Sequence, residues 1–315
     1  MMYKNTFKLL FANYSKVWKV FAYLLLAVAF TAGLAVACGF PIYNTLLNAG
    51  VFTELSDIYA DFLNKLNLQV FIASIGDWVA DFVGVIFSNI DTLLVYIILL
   101  LVVVFVFGSL IVGLYKFAYT DNINYFMNSS VNTPFTSALI SNSGKIALYQ
   151  LLNLFILQPI NLSISILMVL ALNFINDANI LWLAPMAAVL IYSFLTSLKI
   201  TLFGSWVPAM VVKNYGVIRG LKENFRVCTR RFFYTFSSAF ALTLTVMFVN
   251  IFGGLCTFGV GLIFTVPASI CAVSVFNMVA YYTNIGQRYY TDANNVCAPI
   301  RQEFTDQFNK HKYII

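Results

Sequence analysis

The sequence predicts an all-α integral membrane protein with six transmembrane helices, and three observations carry that prediction. The chain is 61% hydrophobic and only 10% charged, with a mean hydropathy of +0.86, whereas about 25% of the residues in a soluble domain are charged. Six long apolar runs follow one another along the chain. The segments between them alternate between basic and acidic character, which is typical of a chain that crosses a bilayer repeatedly.

Each apolar run is long enough to cross about 30 Å of hydrocarbon at about 1.5 Å per helical residue. The runs cover approximately residues 20–40, 92–114, 146–172, 181–212, 232–252 and 259–283. Six crossings would place both termini on the same side of the membrane. We therefore expect one membrane domain over residues 1–285, followed by a tail over residues 286–315.

The basic residues predict which side holds the termini. Of the 18 Lys and Arg residues, all except Lys65 and Lys199 fall in the N-terminal segment, the second and fourth loops or the tail. Positively charged loops stay in the cytoplasm, so both termini are expected there. The first loop, residues 41–91, carries six carboxylates and only Lys65, and we expect it outside.

This outer insert has helical patterns of its own. Apolar residues recur at helical spacing over residues 51–67, opposite Glu54, Asp57, Asp61 and Lys65. Such an amphipathic pattern is typical of a helix on a membrane surface or a cap on the bundle. A second stretch, residues 71–87, is either an interfacial helix or an outward extension of the second span.

Three predicted cytoplasmic stretches share a pattern of Leu, two residues and Asn ahead of an apolar run. They begin at Leu10, Leu139 and Leu221 and end at Asn13, Asn142 and Asn224. The chain therefore reads as three units, each an interfacial helix followed by a transmembrane hairpin. Chance could also supply this pattern, because Leu and Asn are common.

The third interfacial stretch has the clearest amphipathic pattern. Its apolar residues are Ile218, Leu221, Phe225, Cys228 and Phe232, and its cations on the opposite face are Arg219, Lys222, Arg226 and Arg230. This pattern predicts a helix on the inner leaflet whose cations contact anionic lipid. The alternative is that these charges only set the topology. Nucleic acid is not an expected partner, since the net charge of +6 comes from segments beside membrane spans.

Lys199 is the first candidate for an intramembrane site, because ionisable residues inside spans are costly and usually functional. Two depths are open. If the fourth span ends near residue 201, Lys199 reaches the cytoplasmic interface and residues 204–212 form a bent segment anchored by Trp206. If the helix continues to Lys213, Lys199 is buried.

Asparagines within the spans could line a polar path near Lys199. Asn161, Asn250 and Asn277 are the candidates, although hydrogen bonds between helices would also explain them. No catalytic or cofactor-binding motif occurs, the only histidine is His311, and paired carboxylates occur only in the outer loop. We therefore expect no enzymatic activity, metal or cofactor.

Residues 203–290 resemble a known group of membrane proteins. This region has Val207-Pro208, a short basic helix at 220–225, Arg231-Phe232-Phe233, a glycine-rich turn, Pro267, and the pairs Tyr281-Tyr282 and Tyr289-Tyr290. It resembles bacterial six-span proteins related to the membrane domain of some glycerophosphodiester phosphodiesterases. The resemblance implies a bacterial plasma membrane and a fold, but no activity, because the catalytic histidines and acids have no counterpart.

Three functions remain open at this point. The first is a non-enzymatic module that handles lipid or small molecules or assists a partner transporter, with membrane lipids and a protein partner or second copy as its contacts. The second is an autonomous secondary transporter with a polar path near Lys199, and the third is a lipid-modifying enzyme. A cavity lined by Lys199 and the asparagines would favour transport. A solid apolar core would favour the accessory role, and carboxylates that converge at the outer leaflet would favour an enzyme.

Overall fold

The computed structural model describes residues 2–129, 143–177, 184–292 and 295–297, and these residues form twelve α-helices, one π-helical segment and a short β-hairpin. The α-helices are α1 (Met2–Ala12), α2 (Tyr14–Asn48), α3 (Val51–Lys65), α4 (Leu68–Ser88), α5 (Ile90–Leu101), α6 (Ser109–Ser129), α7 (Ser143–Asp177), α8 (Ala184–Phe203), α9 (Trp206–Val212), α10 (Val217–Cys228), α11 (Phe232–Cys256) and α12 (Leu262–Ile285). The π-helix covers Val102–Gly108, and the strands are β1 (Tyr289–Tyr290) and β2 (Val296–Cys297).

Seven helices of the described chain are long and apolar enough to cross a membrane. Six of them coincide with the predicted apolar runs, and the seventh is Gln69–Ser88, which the sequence placed in the outer insert. The chain is therefore an all-helical protein with the helices of a multi-pass membrane protein, as its composition predicts.

The chain divides into two compact units. The main unit comprises the described residues of Met1–Leu25 and Leu110–Ile315, and the insert unit is Leu26–Ser109. The insert unit begins before residue 41, because the second half of α2 packs with α3, α4 and α5. Its core contains Ile42, Leu46, Val51 and Leu93.

In the insert unit, α3 and α4 follow the two patterns found in the sequence. The Trp78 indole donates a hydrogen bond to the carbonyl of Val51 at 2.9 Å, which joins the two helices. Asn67 begins α4, since its side-chain oxygen accepts bonds from the amides of Gln69 and Val70. Most of the α4 surface is exposed, which suits a helix whose apolar side chains meet lipid.

The main unit is built around α12. The second half of α12 is buried, and it packs against α1 and α11 in a core rich in aromatic and small residues. Met2 and Leu9 of α1 are fully buried there. This predicted interfacial helix thus packs against protein along one face.

The beginning of the predicted tail also belongs to the fold. The Asn5 amide donates hydrogen bonds to the Tyr289 hydroxyl at 2.9 Å and to the Cys297 sulfur at 3.4 Å. Tyr289 and Cys297 lie on the paired strands β1 and β2. These buried polar contacts join α1 to residues that sequence patterning alone assigned to the tail.

The predicted repeat has two described members. Asn13 and Asn224 are both buried, but the Asn13 amide binds the Leu9 carbonyl of the preceding helix α1, whereas the Asn224 amide binds the Leu202 carbonyl of α8 at 2.6 Å. The stretch from Leu139 to Asn142 lies outside the described residues. The same residue pattern therefore makes different contacts in the two places.

Candidate functional site

A cavity of about 420 Å³ lies between five helices of the main unit, α6, α7, α8, α11 and α12. We call it the central cavity. Its lining combines aliphatic side chains of α8, α11 and α12 with polar side chains. The polar side chains are Tyr115, Lys116, Tyr192, Thr196, Lys199, Thr243, Asn250, Ser269, Ser274 and Asn277. Its volume lies within the range of about 300–1,000 Å³ that is usual for small-molecule sites.

Lys199 lies on the wall of the central cavity, four residues before the end of α8. Its ammonium group donates a hydrogen bond to the Asn161 side-chain oxygen of α7 at 2.9 Å. The Asn161 amide in turn donates to Gln158 at 3.2 Å. A lysine has three donor hydrogens, so this neutral partner leaves most of the ammonium group's hydrogen-bonding capacity unused.

Lys116 is a second cation in the central cavity, and sequence reasoning missed it as a site residue. The sequence placed it just beyond the second span and counted it as a loop charge. In the structure, α6 continues to Ser129, and Lys116 lines the cavity with its ammonium group 3.4 Å from the Tyr149 hydroxyl. The polar residues after position 116 hid this helical continuation.

Asn250 and Asn277 reach the same cavity from α11 and α12. The Asn250 amide donates to the Ser269 hydroxyl at 3.2 Å, while its oxygen is buried with no hydrogen-bond partner among the described residues. Asn277 is only 6% exposed, and within the same part of the chain its oxygen has no partner either. Buried polar atoms are normally satisfied by protein, water or ligand, so these two cavity-lining residues retain capacity to accept hydrogen bonds.

Small side chains hold the cavity walls together. The hydroxyls of Ser197 on α8 and Thr243 on α11 lie 2.7 Å apart, and the Thr243 hydroxyl also lies 3.3 Å from the Ser193 carbonyl. Small hydroxyl residues let membrane helices approach closely and bond across the interface. At Gly204, an added methyl group would collide with the Asn277 oxygen, so glycine is needed beside that amide.

The geometry around Lys199 combines features of both predicted depths. The helix breaks after Phe203, as expected for a bent segment over residues 204–212. Trp206, however, is fully buried against protein, since its indole donates to the Val217 carbonyl at 2.9 Å and its ring packs on Tyr149. Lys199 contacts Asn161 and the cavity, and its depth in a bilayer stays a prediction.

The predicted basic helix is α10, and the apolar residues of its predicted lipid-facing stripe are partly exposed and partly packed against protein. Ile218 is 74% exposed and Phe225 is 43% exposed. The buried face instead contains Val217, Gly220 and Asn224. Gly220 allows contact with Met210 of α9, and Asn224 satisfies a carbonyl at the end of α8. The protein-facing side of α10 thus combines apolar residues with a small residue and a hydrogen-bonding side chain, and it includes Cys228 of the predicted stripe.

All four predicted lipid-contacting cations, Arg219, Lys222, Arg226 and Arg230, are exposed. Glu223 accepts bonds from Lys213 at 2.9 Å and from Arg226 at 3.4 Å. Arg219 stacks over the Tyr215 ring at 4.4 Å. At the end of this helix, burial raises the pKa of the Cys228 thiol, which keeps that cysteine protonated. The exposed cations lie beside exposed Ile218 and Phe225, an arrangement suited to a lipid surface.

Three of the six carboxylates of the outer insert line a separate cleft of about 350 Å³ between α3 and α4. Glu54, Asp57 and Asp61 share one face of α3, and Asp61 pairs with Lys65 at 2.7 Å. Their spacing is that of the exposed face of an amphipathic helix. Within the described ranges, no group of three or more His, Cys, Asp or Glu side chains could hold a metal ion.

The structure thus brings three predicted residues, Lys199, Asn250 and Asn277, to one cavity and places Asn161 against Lys199. The four cations of α10 form a separate surface. Comparison of the chain with protein-family models, with curated proteins and with solved structures finds no match in any of the three. The resemblance over residues 203–290 therefore stays a prediction, and the arguments about function rest on the cavity itself.

Proposed function

We propose that this chain is a non-enzymatic, polytopic plasma-membrane protein that binds an anionic lipid or small molecule in the central cavity. The observation that carries the proposal is the charge of that cavity. Lys116 and Lys199 both line it, and no carboxylate is present among its described lining residues. Charged residues within spans are normally paired, so an anionic ligand is the natural counterpart.

The proposed topology has six spans with both termini in the cytoplasm of a bacterium. The short connection after α4 supports six crossings over seven, since only Asn89 separates α4 from α5. Antiparallel helices need a connection of about 2–5 residues. In this arrangement α4 extends or flanks the second span on the outer side, and the three hairpins follow the predicted order.

The absence of catalysis is part of the proposal and is supported by the chemistry of the lining. Lysine, asparagine, serine and threonine side chains can bind and orient a ligand there. The outer carboxylates lie on an exposed helical face, which makes a lipid-modifying enzyme the weakest of the three candidates. A module of this kind could act beside a transporter or as a second copy of itself, with α10 held on anionic lipid.

Ligand binding can be tested on the purified full chain in phosphatidylcholine nanodiscs. Octanesulfonate, an anionic amphiphile, should raise the midpoint of thermal unfolding, and octyltrimethylammonium should not. A ligand at 100 times its Kd stabilises a protein by about 2.7 kcal/mol. Lys199→Met should lose the effect, while Lys222→Met, on the exposed face of α10, should keep it. Equal effects of both amphiphiles, or none, would contradict the proposal.

An autonomous secondary transporter is the second candidate, and the same cavity favours it over a solid bundle. Transport requires that the cavity open to each side in turn. Proteoliposomes containing the chain should then accumulate labelled octanesulfonate faster than empty liposomes, and Lys199→Met should remove the difference. Binding without uptake would leave the binding module as the function.

A further inference from the structure

Besides its two cations, the central cavity is lined by two amide side chains whose oxygens can accept further hydrogen bonds. The Asn250 and Asn277 oxygens are buried without hydrogen-bond partners in the described part of the chain, and both residues line the cavity. An amide oxygen accepts hydrogen bonds and cannot stabilise an anion by itself. A simple anion would therefore satisfy Lys199 and Lys116 and leave these oxygens unpaired.

The two amides lie at different levels of the cavity. Asn250 is bonded to Ser269, and Ser269 and Asn277 are both on α12, eight residues apart, which corresponds to about 12 Å along a helix. Between these levels, Ile270 and Val273 contribute apolar lining. The cavity thus offers cations, an apolar wall and separated hydrogen-bond acceptors.

The position of Asn277 is held by its surroundings. It is 6% exposed, and it lies over Gly204, where a side chain would displace its oxygen. A buried polar group held in a fixed place discriminates strongly between ligands that can and cannot pair with it. Asn277 is therefore suited to select ligands that donate a hydrogen bond to its oxygen.

We propose that the central cavity selects an oxyanion that also carries hydroxyl hydrogens, with the anion on Lys199 and Lys116 and the hydroxyl hydrogens on the oxygens of Asn250 and Asn277. This deepens the proposed function and rests on it. Either a free hydroxylated organic anion or the head group of a hydroxyl-bearing anionic lipid supplies this chemistry.

The test compares matched probes on the full chain in phosphatidylcholine nanodiscs. Octanesulfonate and 8-hydroxyoctane-1-sulfonate share charge and length and differ by one hydroxyl. The hydroxylated probe should bind about tenfold more tightly, the factor expected for one hydrogen bond to a buried acceptor. For the lipid source, nanodiscs with phosphatidylglycerol should stabilise the chain more than nanodiscs with phosphatidylmethanol, which has the same charge and lacks the hydroxyls.

Variants separate the two parts of the site. The double variant Asn250→Leu/Asn277→Leu should bind both sulfonates with nearly equal affinity. Lys199→Met should weaken both probes by the same factor. If the double variant does not fold, the single variants Asn250→Ala and Asn277→Ala report which amide accepts the hydroxyl.

The outcomes distinguish the two proposals. Preference for the hydroxylated member of either probe pair supports the inference, and the pair that shows it identifies the source of the ligand. Equal binding of both members of each pair by the unmodified chain overturns the inference and leaves the proposed function intact, because water would then satisfy the amides. If no anion binds at all, the proposed function itself fails.

Discussion

The central cavity and the exposed face of α10 are both cationic, but the cavity cations lie between helices and the α10 cations lie on the protein surface. In the cavity, the Lys199 ammonium group bonds to the neutral Asn161 and to no carboxylate among the described residues. On α10, Arg226 pairs with Glu223, and Arg219, Lys222 and Arg230 are exposed. A pair of unit charges 4 Å apart interacts by about 1 kcal/mol in water and about 4 kcal/mol at an effective dielectric constant of 20.

This difference indicates which of the two cationic regions can bind ligands specifically. Exposed cations on α10 are screened by salt and accept any anionic surface, so they orient or hold the helix. Cations inside a bundle have a larger desolvation cost, and they bind a matching anion more strongly. The four cations of α10 are therefore expected to attract anionic surfaces broadly, and the two cations of the cavity to bind selectively.

The largest expected effect concerns topology. The proposed role of the α10 cations requires that α10 face the inner leaflet. In a background without native cysteines, Asp61→Cys and Ser88→Cys should react with an impermeant thiol reagent added to intact cells, and Thr229→Cys should not. All three positions are exposed, whereas Asn224 is buried and would stay silent on either side. Thr229→Cys should react after the cells are permeabilised, and reaction beforehand would invert the topology.

The next effect separates the two environments by stability. Without added ligand, Lys199→Met should raise the free energy of unfolding by about 1–3 kcal/mol, since methionine removes a charge that is costly within a span. Lys222→Met, the matched exposed change, should stay within about 0.5 kcal/mol. Reversible unfolding in identical nanodiscs gives both values. A destabilised Lys199→Met variant would show that the Lys199 ammonium group is well paired inside the bundle.

A third effect tests how α10 is attached to the bundle. Asn224→Leu should destabilise the protein by about 1–3 kcal/mol, because it removes the donor that satisfies the Leu202 carbonyl at the end of α8. Lys222→Leu on the exposed face serves as the control for the added apolar group. Equal stability of the two variants would mean that α10 is held by lipid more than by Asn224.

The smallest effect concerns the individual cations of α10. Arg219→Gln, Lys222→Gln and Arg230→Gln should each weaken retention of anionic lipid by up to about 1 kcal/mol, measured by native mass spectrometry of the purified chain. Arg226→Gln should weaken it less, because Arg226 already pairs with Glu223. Unchanged lipid retention in a variant lacking all four cations would leave these charges with a topological role alone.

Composition and hydrophobic patterning alone predict the class of the protein and where most of its helices lie. Long apolar runs can only be buried in a bilayer or a large core, and the period of 3.6 residues marks α3 and α4 in the insert. The sequence also singled out Lys199, Asn250 and Asn277, because polar groups in apolar runs stand out by composition alone. These inferences depend on neighbours along the chain, which a sequence displays directly.

The tertiary structure decided which of these groups meet and which faces are buried. Lys116 joins the cavity because α6 continues past the apolar run, and α10 turns toward Gly220 and Asn224 because small size and a hydrogen bond suit contact with α8 and α9. The cavity itself depends on side chains from five helices that are far apart along the chain. No local pattern in the sequence predicts this packing, because a cavity forms only where side chains from distant segments leave the space between them unfilled.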